Sequence, residues 1–114
     1  MKERLFVPLS KQPYLDFSLN GKEVEIRKYG RNFTEKTVFS GRRIELRLGY
    51  SGKSAIWGNI EEVIVGSLDD IFKHYELANV EPGANSKEDA ISENIQLLGP
   101  SDKYIGFSIK VDNR

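Results

Sequence analysis

The chain contains no cysteine. Disulfides, thiolate metal sites and cysteine nucleophiles are therefore excluded. Histidine is nearly as scarce, with His74 standing alone. A multi-histidine metal site or a Ser-His-Asp arrangement has little to work with. No motif asks for a cofactor or a metal. No apolar run approaches the roughly 20 residues that span a bilayer, and the N-terminus lacks a signal-peptide pattern. A cytoplasmic setting is the expectation. The sequon Asn32-Phe33-Thr34 then carries no meaning, because glycosylation needs secretion. Net charge is missing too, since 17 Lys and Arg balance 17 Asp and Glu.

What is present fits one domain. The chain has 114 residues, 39% hydrophobic and 30% charged, enough for a modest core and too apolar for disorder. The charge is unevenly spread. Residues 22–53 carry nine bases (Lys22, Arg27, Lys28, Arg31, Lys36, Arg42, Arg43, Arg47, Lys53) against four acids. Residues 61–102 carry two bases, Lys73 and Lys87, against ten acids. Such a dipolar chain suits a basic face for phosphates, although the two halves could equally pair with each other or with water.

Hydrophobic spacing orders the elements. Leu5-Phe6-Val7 reads as a strand ended by Pro8. Pro13 suits the first turn of a helix that Asn20-Gly21 closes. Strands follow near 24–28, at Val38-Phe39, and at 43–48, where charged and apolar residues alternate strictly. A long strand runs from Ala55 to Val65, with Gly58 marking a bulge or a close backbone approach. Ser67-Leu68-Asp69-Asp70 resembles a capping box with Asp in the last place. Leu68, Ile71, Phe72 and Tyr75 then form a helical stripe. Ile91, Ile95 and Leu98 form a second stripe that Gly99-Pro100 ends, and Tyr104–Val111 is a final strand. The expected class is α+β, with two or three short helices against a mixed, mostly antiparallel sheet or small barrel.

One run stands out: Asn20-Gly21-Lys22-Glu23-Val24-Glu25-Ile26-Arg27. On an alternating strand Glu25 and Arg27 share one face, while Val24 and Ile26 share the other. Arg27 offers a planar fork for phosphate or a base edge, and Lys22 adds a mobile point charge. Glu25 would orient both cations or accept from an amine or a 2′-hydroxyl. A plain ion pair on a solvated face is the competing reading. Lys28, Tyr29 and Arg31, and then Arg47, Tyr50 and Lys53, interleave bases with rings, as single-stranded RNA binding requires. Ordinary half-buried tyrosines would look the same. Trp57 could stack a base too, but a strand-borne Trp reads first as core; His74 could serve as a general acid or base, but reads first as a surface residue. Gly49–Ser54 ends in G-K-S, but Arg47 stands where a phosphate loop needs Gly and no helix follows, so a nucleotide-binding loop is excluded. The carboxylates Glu61, Glu62, Asp69, Asp70, Glu88, Asp89 and Glu93 could include a general acid or a magnesium ligand, but Asp69, Asp70, Glu88 and Asp89 read first as helix N-terminal partners.

The run resembles the G-x-K-x-x-E-x-R signature of the ASCH domain, a small PUA-like β-barrel. Asn20 stands at the expected Gly, with Gly21 one place later, and Asn tolerates the positive φ such a turn requires. The resemblance extends roughly from Leu5 to Val111. It implies a single domain over residues 1–114. It also implies a cleft floored by Lys22, Glu25 and Arg27 that binds RNA or a nucleotide-like ligand. Some members resemble ribonucleases, others amidohydrolases acting on acylated cytidine. The latter carry Thr where this chain has Glu25, so the proposed Thr nucleophile is missing. The expected function is an RNA- or nucleotide-binding module with a basic cleft. The alternatives are a small hydrolase using the same cleft, with Lys22 and Glu25 as candidate catalytic groups, and an interaction domain using its acidic helices.

Overall fold

Leu5, Val7 and Leu9 alternate with half-exposed neighbours, which makes Leu5–Leu9 a strand with one buried face (β1). The computed structural model of the chain describes residues 3–50 and 52–113. Further elements are α1 (Lys11–Leu19), β2 (Val24–Lys28), β3 (Arg43–Leu48) and β4 (Ala55–Gly66). They continue as α2 (Leu68–His74), α3 (Leu77–Val80), α4 (Lys87–Leu98) and β5 (Tyr104–Val111). The sheet runs β1-β3-β4-β5-β2, with β1 and β3 parallel and the other pairs antiparallel. None of the described helices is long and apolar enough to cross a membrane.

β1 does not stop at Pro8. It runs on to Leu9 because it is an edge strand, where a residue lacking N–H is tolerated. Asn20 sits at φ −113, so Gly21, at φ +82, supplies the left-handed turn after α1. The expectation that Asn20 would fill that role is thus corrected. Val38-Phe39 is not a strand; Val38 is buried in a loop, its N–H donating to Thr34 O at 2.7 Å. The register of β4 against β5 shifts between Ile60 and Val63, not at Gly58. Gly58 instead allows a close approach, since a Cβ there would lie 2.5 Å from Lys110 O. The capping box is formed, with Ser67 Oγ accepting from Asp70 N–H at 3.1 Å. On α4 the buried residue is Ala90, and Ile95 is exposed.

Register separates the two faces of the sheet. Ile44, Leu46, Ile60, Ile105, Phe107 and Ile109 fill the concave face together with β1 and Phe17 of α1. Val24, Ile26 and Tyr104 lie on the other face, beneath Leu68, Ile71, Phe72, Val80 and Ala90 of the three later helices. Helix α2 crosses β5 at Gly106, where an added Cβ would stand 2.9 Å from Ile71 Cγ2. Gly106→Ala should therefore cost about 1 kcal/mol of stability, through forced repacking. Urea denaturation midpoints would measure it, and an unchanged midpoint would show that the Ile71 contact yields freely.

The sheet curls until its two edges approach. Arg27 Nη2 of β2 donates to the carbonyl of Pro8 in β1 at 3.0 Å. The result is a half-barrel whose seam is bridged by a side chain.

Candidate functional site

The seam is where the charged run lies. Glu25 and Arg27 pair in register with Phe107 and Ile105, so both face the concave side at its open edge. Arg27 Nη2 lies 2.9 Å from Glu25 Oε2, and its Nε donates to the same oxygen at 3.0 Å. The guanidinium also lies over the Phe33 ring, 5.2 Å from its centre. Lys22 precedes β2 and is only 7% exposed. Its ammonium donates to the carbonyls of Val24 at 2.6 Å and Val80 at 2.5 Å, and stands 3.6 Å from Glu25 Oε1. It therefore ties β2 to the end of α3, with its Nζ 5.2 Å from the centre of the Phe17 ring.

A cavity of about 200 Å³ opens at this point, with Lys22, Glu25, Arg27, Glu81 and Asn94 as its polar lining. Leu9, Pro13, Ile26, Leu97 and Leu98 supply apolar walls. The acid-rich helical half contributes to the site, since Val80 of α3, Glu81 and α4 form one wall. The cavity is also charge-balanced, with two cations facing two carboxylates. A more basic hollow of about 490 Å³ adjoins it across Arg27, formed by residues 27–33 and including Lys28, Tyr29 and Arg31. Arg27 lines both.

Burial sets the electrostatics. It lowers the pKa of Lys22, against the opposing charges of Glu25, Glu81 and Asp16. Burial also raises the Glu81 carboxyl, helped by the neighbouring Glu93, to about 7. Glu81 Oε2 is buried with no hydrogen-bond partner among the described residues. A proton on one of the two carboxyls would supply the missing donor.

The other expected residues lie apart from the cavity. Arg47 is on β3, paired with Glu45, its guanidinium 5.3 Å from the centre of the Phe6 ring. Tyr50 is exposed, with its ring 6.4 Å from Phe6. Lys53 is exposed in the β3–β4 turn. Ser51 of that turn lies outside the described residues. Tyr29 bonds to Glu35 through its hydroxyl, and Lys103 Nζ lies 4.1 Å from its ring centre. Trp57 is not core; it is 38% exposed on the convex face. His74 is on the surface, paired with Glu62 at 2.8 Å.

Sequence reading missed Glu81, Asn94 and the carbonyls of Pro8 and Val80. The break at Pro82-Gly83 hinted that the chain turns after Glu81. Nothing local marked the rest, because each reaches the site only through tertiary packing.

A mixed five-stranded sheet, curled on itself with α1 against one face and the three later helices against the other, defines a PUA-like half-barrel of the α+β class. Its overall course matches that of several solved structures, an ASCH protein among them. A hypothetical protein, PH0355, is 17% identical over 94% of this chain and 99% of its own, with a TM-score of 0.70. PF0455 from Pyrococcus furiosus is 17% identical over 96% of this chain and 100% of its own, with a TM-score of 0.63. An ASCH protein from Zymomonas mobilis is 15% identical over 95% of this chain and 68% of its own, with a TM-score of 0.60. The property shared with these structures is the fold. No protein-family model matches the sequence, and no curated protein matches it.

Proposed function

We propose that this protein binds RNA or a nucleotide-like ligand at the seam between β1 and β2. The observation that carries the reading is the position of Arg27. Its guanidinium stands between a small mixed-polarity cavity and a basic hollow. The cavity offers donors, acceptors and apolar walls, which suits one flat heterocycle. At about 200 Å³ it falls below the usual range for drug-sized ligands and fits a piece no larger than a nucleoside. Lys28 and Arg31 in the neighbouring hollow suit phosphate. The likeness in fold to an ASCH protein supports the same reading.

Arg27→Ala should weaken binding of nucleoside monophosphates and short single-stranded RNA about tenfold, the loss expected for one charge-assisted contact. Calorimetric titration at two salt concentrations would measure it. The reading fails if neither ligand class binds the wild-type protein, or if Arg27→Ala leaves affinity unchanged.

A hydrolase using the same cavity is the second reading, favoured by Glu81. A carboxyl raised to about 7, lining the same cavity as Lys22, is poised for general acid–base work. Incubation with labelled RNA and with acylated cytidine tests it. Product that forms with the wild type and not with Glu81→Gln supports catalysis, and absence of product with both substrates removes this reading.

A further inference from the structure

The later helices pack on only part of the convex face. Residues directly opposite on paired strands share a face. Phe6 and Trp57 both stand opposite Glu45, while Arg43 and Lys110 stand opposite Asn59. These residues, with Arg47 of β3, occupy the outer side of β1, β3 and the first half of β4. Buried aliphatic side chains of the same strands point the other way, into the concave core.

Two features mark this outer side as a built surface. The first is that its aromatic rings are paired with guanidinium groups. Arg4 and Arg47 lie over Phe6, 6.0 and 5.3 Å from the ring centre, and Arg43 lies over Trp57 at 5.7 Å. The second is an anchor beneath them. Glu45 is 1% exposed and takes hydrogen bonds from Arg4, at 2.8 Å, and from Arg47. Burial alone would raise the Glu45 carboxyl, but the two arginines outweigh it and hold it below its usual range. Both guanidiniums are thereby fixed in place while staying partly exposed. Arg43 is held in turn by Asp112, at 2.8 and 2.5 Å. Among the described residues Arg4, Arg43, Arg47 and Lys110 outnumber Glu45 and Asp112, the two carboxylates that these arginines engage. A hollow of about 660 Å³ lies beside Trp57 at the end of the sheet, walled by Arg43 and Asp112 and by Phe17 and Ser18 of α1.

We infer that this convex face is a second, stacking surface for single-stranded RNA, carrying the nucleotides that flank the one held at the seam. Guanidinium planes and exposed rings stack bases of any identity, and the cations meet phosphates. The path between the two places is short. Pro8, whose carbonyl holds Arg27, is the register partner of Arg47, one strand spacing of roughly 4.8 Å away. The inference rests on the proposed function for the identity of the ligand. It adds that the ligand is a strand and not a mononucleotide. An acidic protein segment would answer the charge but has no use for the stacked rings.

The test compares a nucleoside monophosphate with a single-stranded octanucleotide, using wild type, Trp57→Ala, Trp57→Phe, Arg43→Ala and Arg27→Ala. The octanucleotide should bind the wild type about tenfold tighter than the monophosphate, and Trp57→Ala should remove most of that gain. Trp57→Phe should restore it, which separates stacking from any loss of folding. Arg43→Ala should weaken only the octanucleotide and reduce its salt slope by about 0.7, one phosphate contact. Equal affinity for the two ligands, or equal losses for both in Trp57→Ala, would overturn the inference. So would polyglutamate competing as well as RNA. If Arg27→Ala changes neither ligand while Trp57→Ala still weakens the octanucleotide, the seam reading falls and the convex face stands.

Discussion

Lys22→Ala is expected to lower the free energy of unfolding by about 2–4 kcal/mol, the largest loss predicted for any single change here. The ammonium is buried, and it donates to two main-chain carbonyls belonging to different elements. Truncation leaves Val24 O and Val80 O without that donor and removes a cation from beside Glu25 and Glu81. It also loses the contact of the stem with Phe17. The sequence alone offered Lys22 as a mobile point charge; its burial and its two main-chain partners make it part of the framework. Lys22→Met separates the contributions, because it keeps an apolar stem and lacks the charge. Urea unfolding would measure both variants. A loss below about 0.5 kcal/mol for Lys22→Ala would mean that the ammonium is not committed to the main chain. Binding assays on Lys22→Ala are therefore uninformative unless folding is measured alongside, and Arg27 is the better probe of the seam.

Glu81→Gln should stabilise the protein at alkaline pH by about 1–2 kcal/mol and leave it nearly unchanged at pH 5. The carboxyl titrates near 4.5 in an ordinary setting and near 7 here. A group with a raised folded pKa binds its proton more tightly in the folded chain. Its contribution is fully present below about 4.5 and is lost as pH climbs to about 7. The full shift would correspond to about 3 kcal/mol, but Glu81 is only partly buried and solvent screens it, so about half is expected. Glutamine imitates the neutral carboxyl and removes the penalty for burying the charge beside Glu93. Lys22 opposes the effect and Asp16 adds to it. Thermal melting of both proteins from pH 4.5 to 8.5 would show the difference opening across that interval. Parallel curves for the two proteins would rule out Glu81 as the titrating group.

Much of the fold was legible in the chain. The alternation of residues 43–48 announced β3, and the Ser67 capping box announced α2, because both patterns depend only on local geometry. The one-turn helix at 77–80 was not announced, since four residues carry no period. Val38 has strand-like chemistry but lies in a loop, and its burial comes from packing and not from pairing. Trp57 has the composition of a core residue, yet strand register sends it outward, beside Arg43.

The site divides in the same way. Spacing on one strand put Glu25 and Arg27 on a common face before any coordinates were known, because a strand alternates its side chains with period two. Which face that is depended on the pairing of β2 with β5, and the pairing turned it toward the concave side. Only the curling of the sheet brought Pro8 of β1 to Arg27 of β2. Only the packing of α3 and α4 against the convex side set Val80 beside Lys22 and Glu81 into the cavity. Partners far apart along the chain are joined by closure and burial, and neither leaves a local mark in the order of residues.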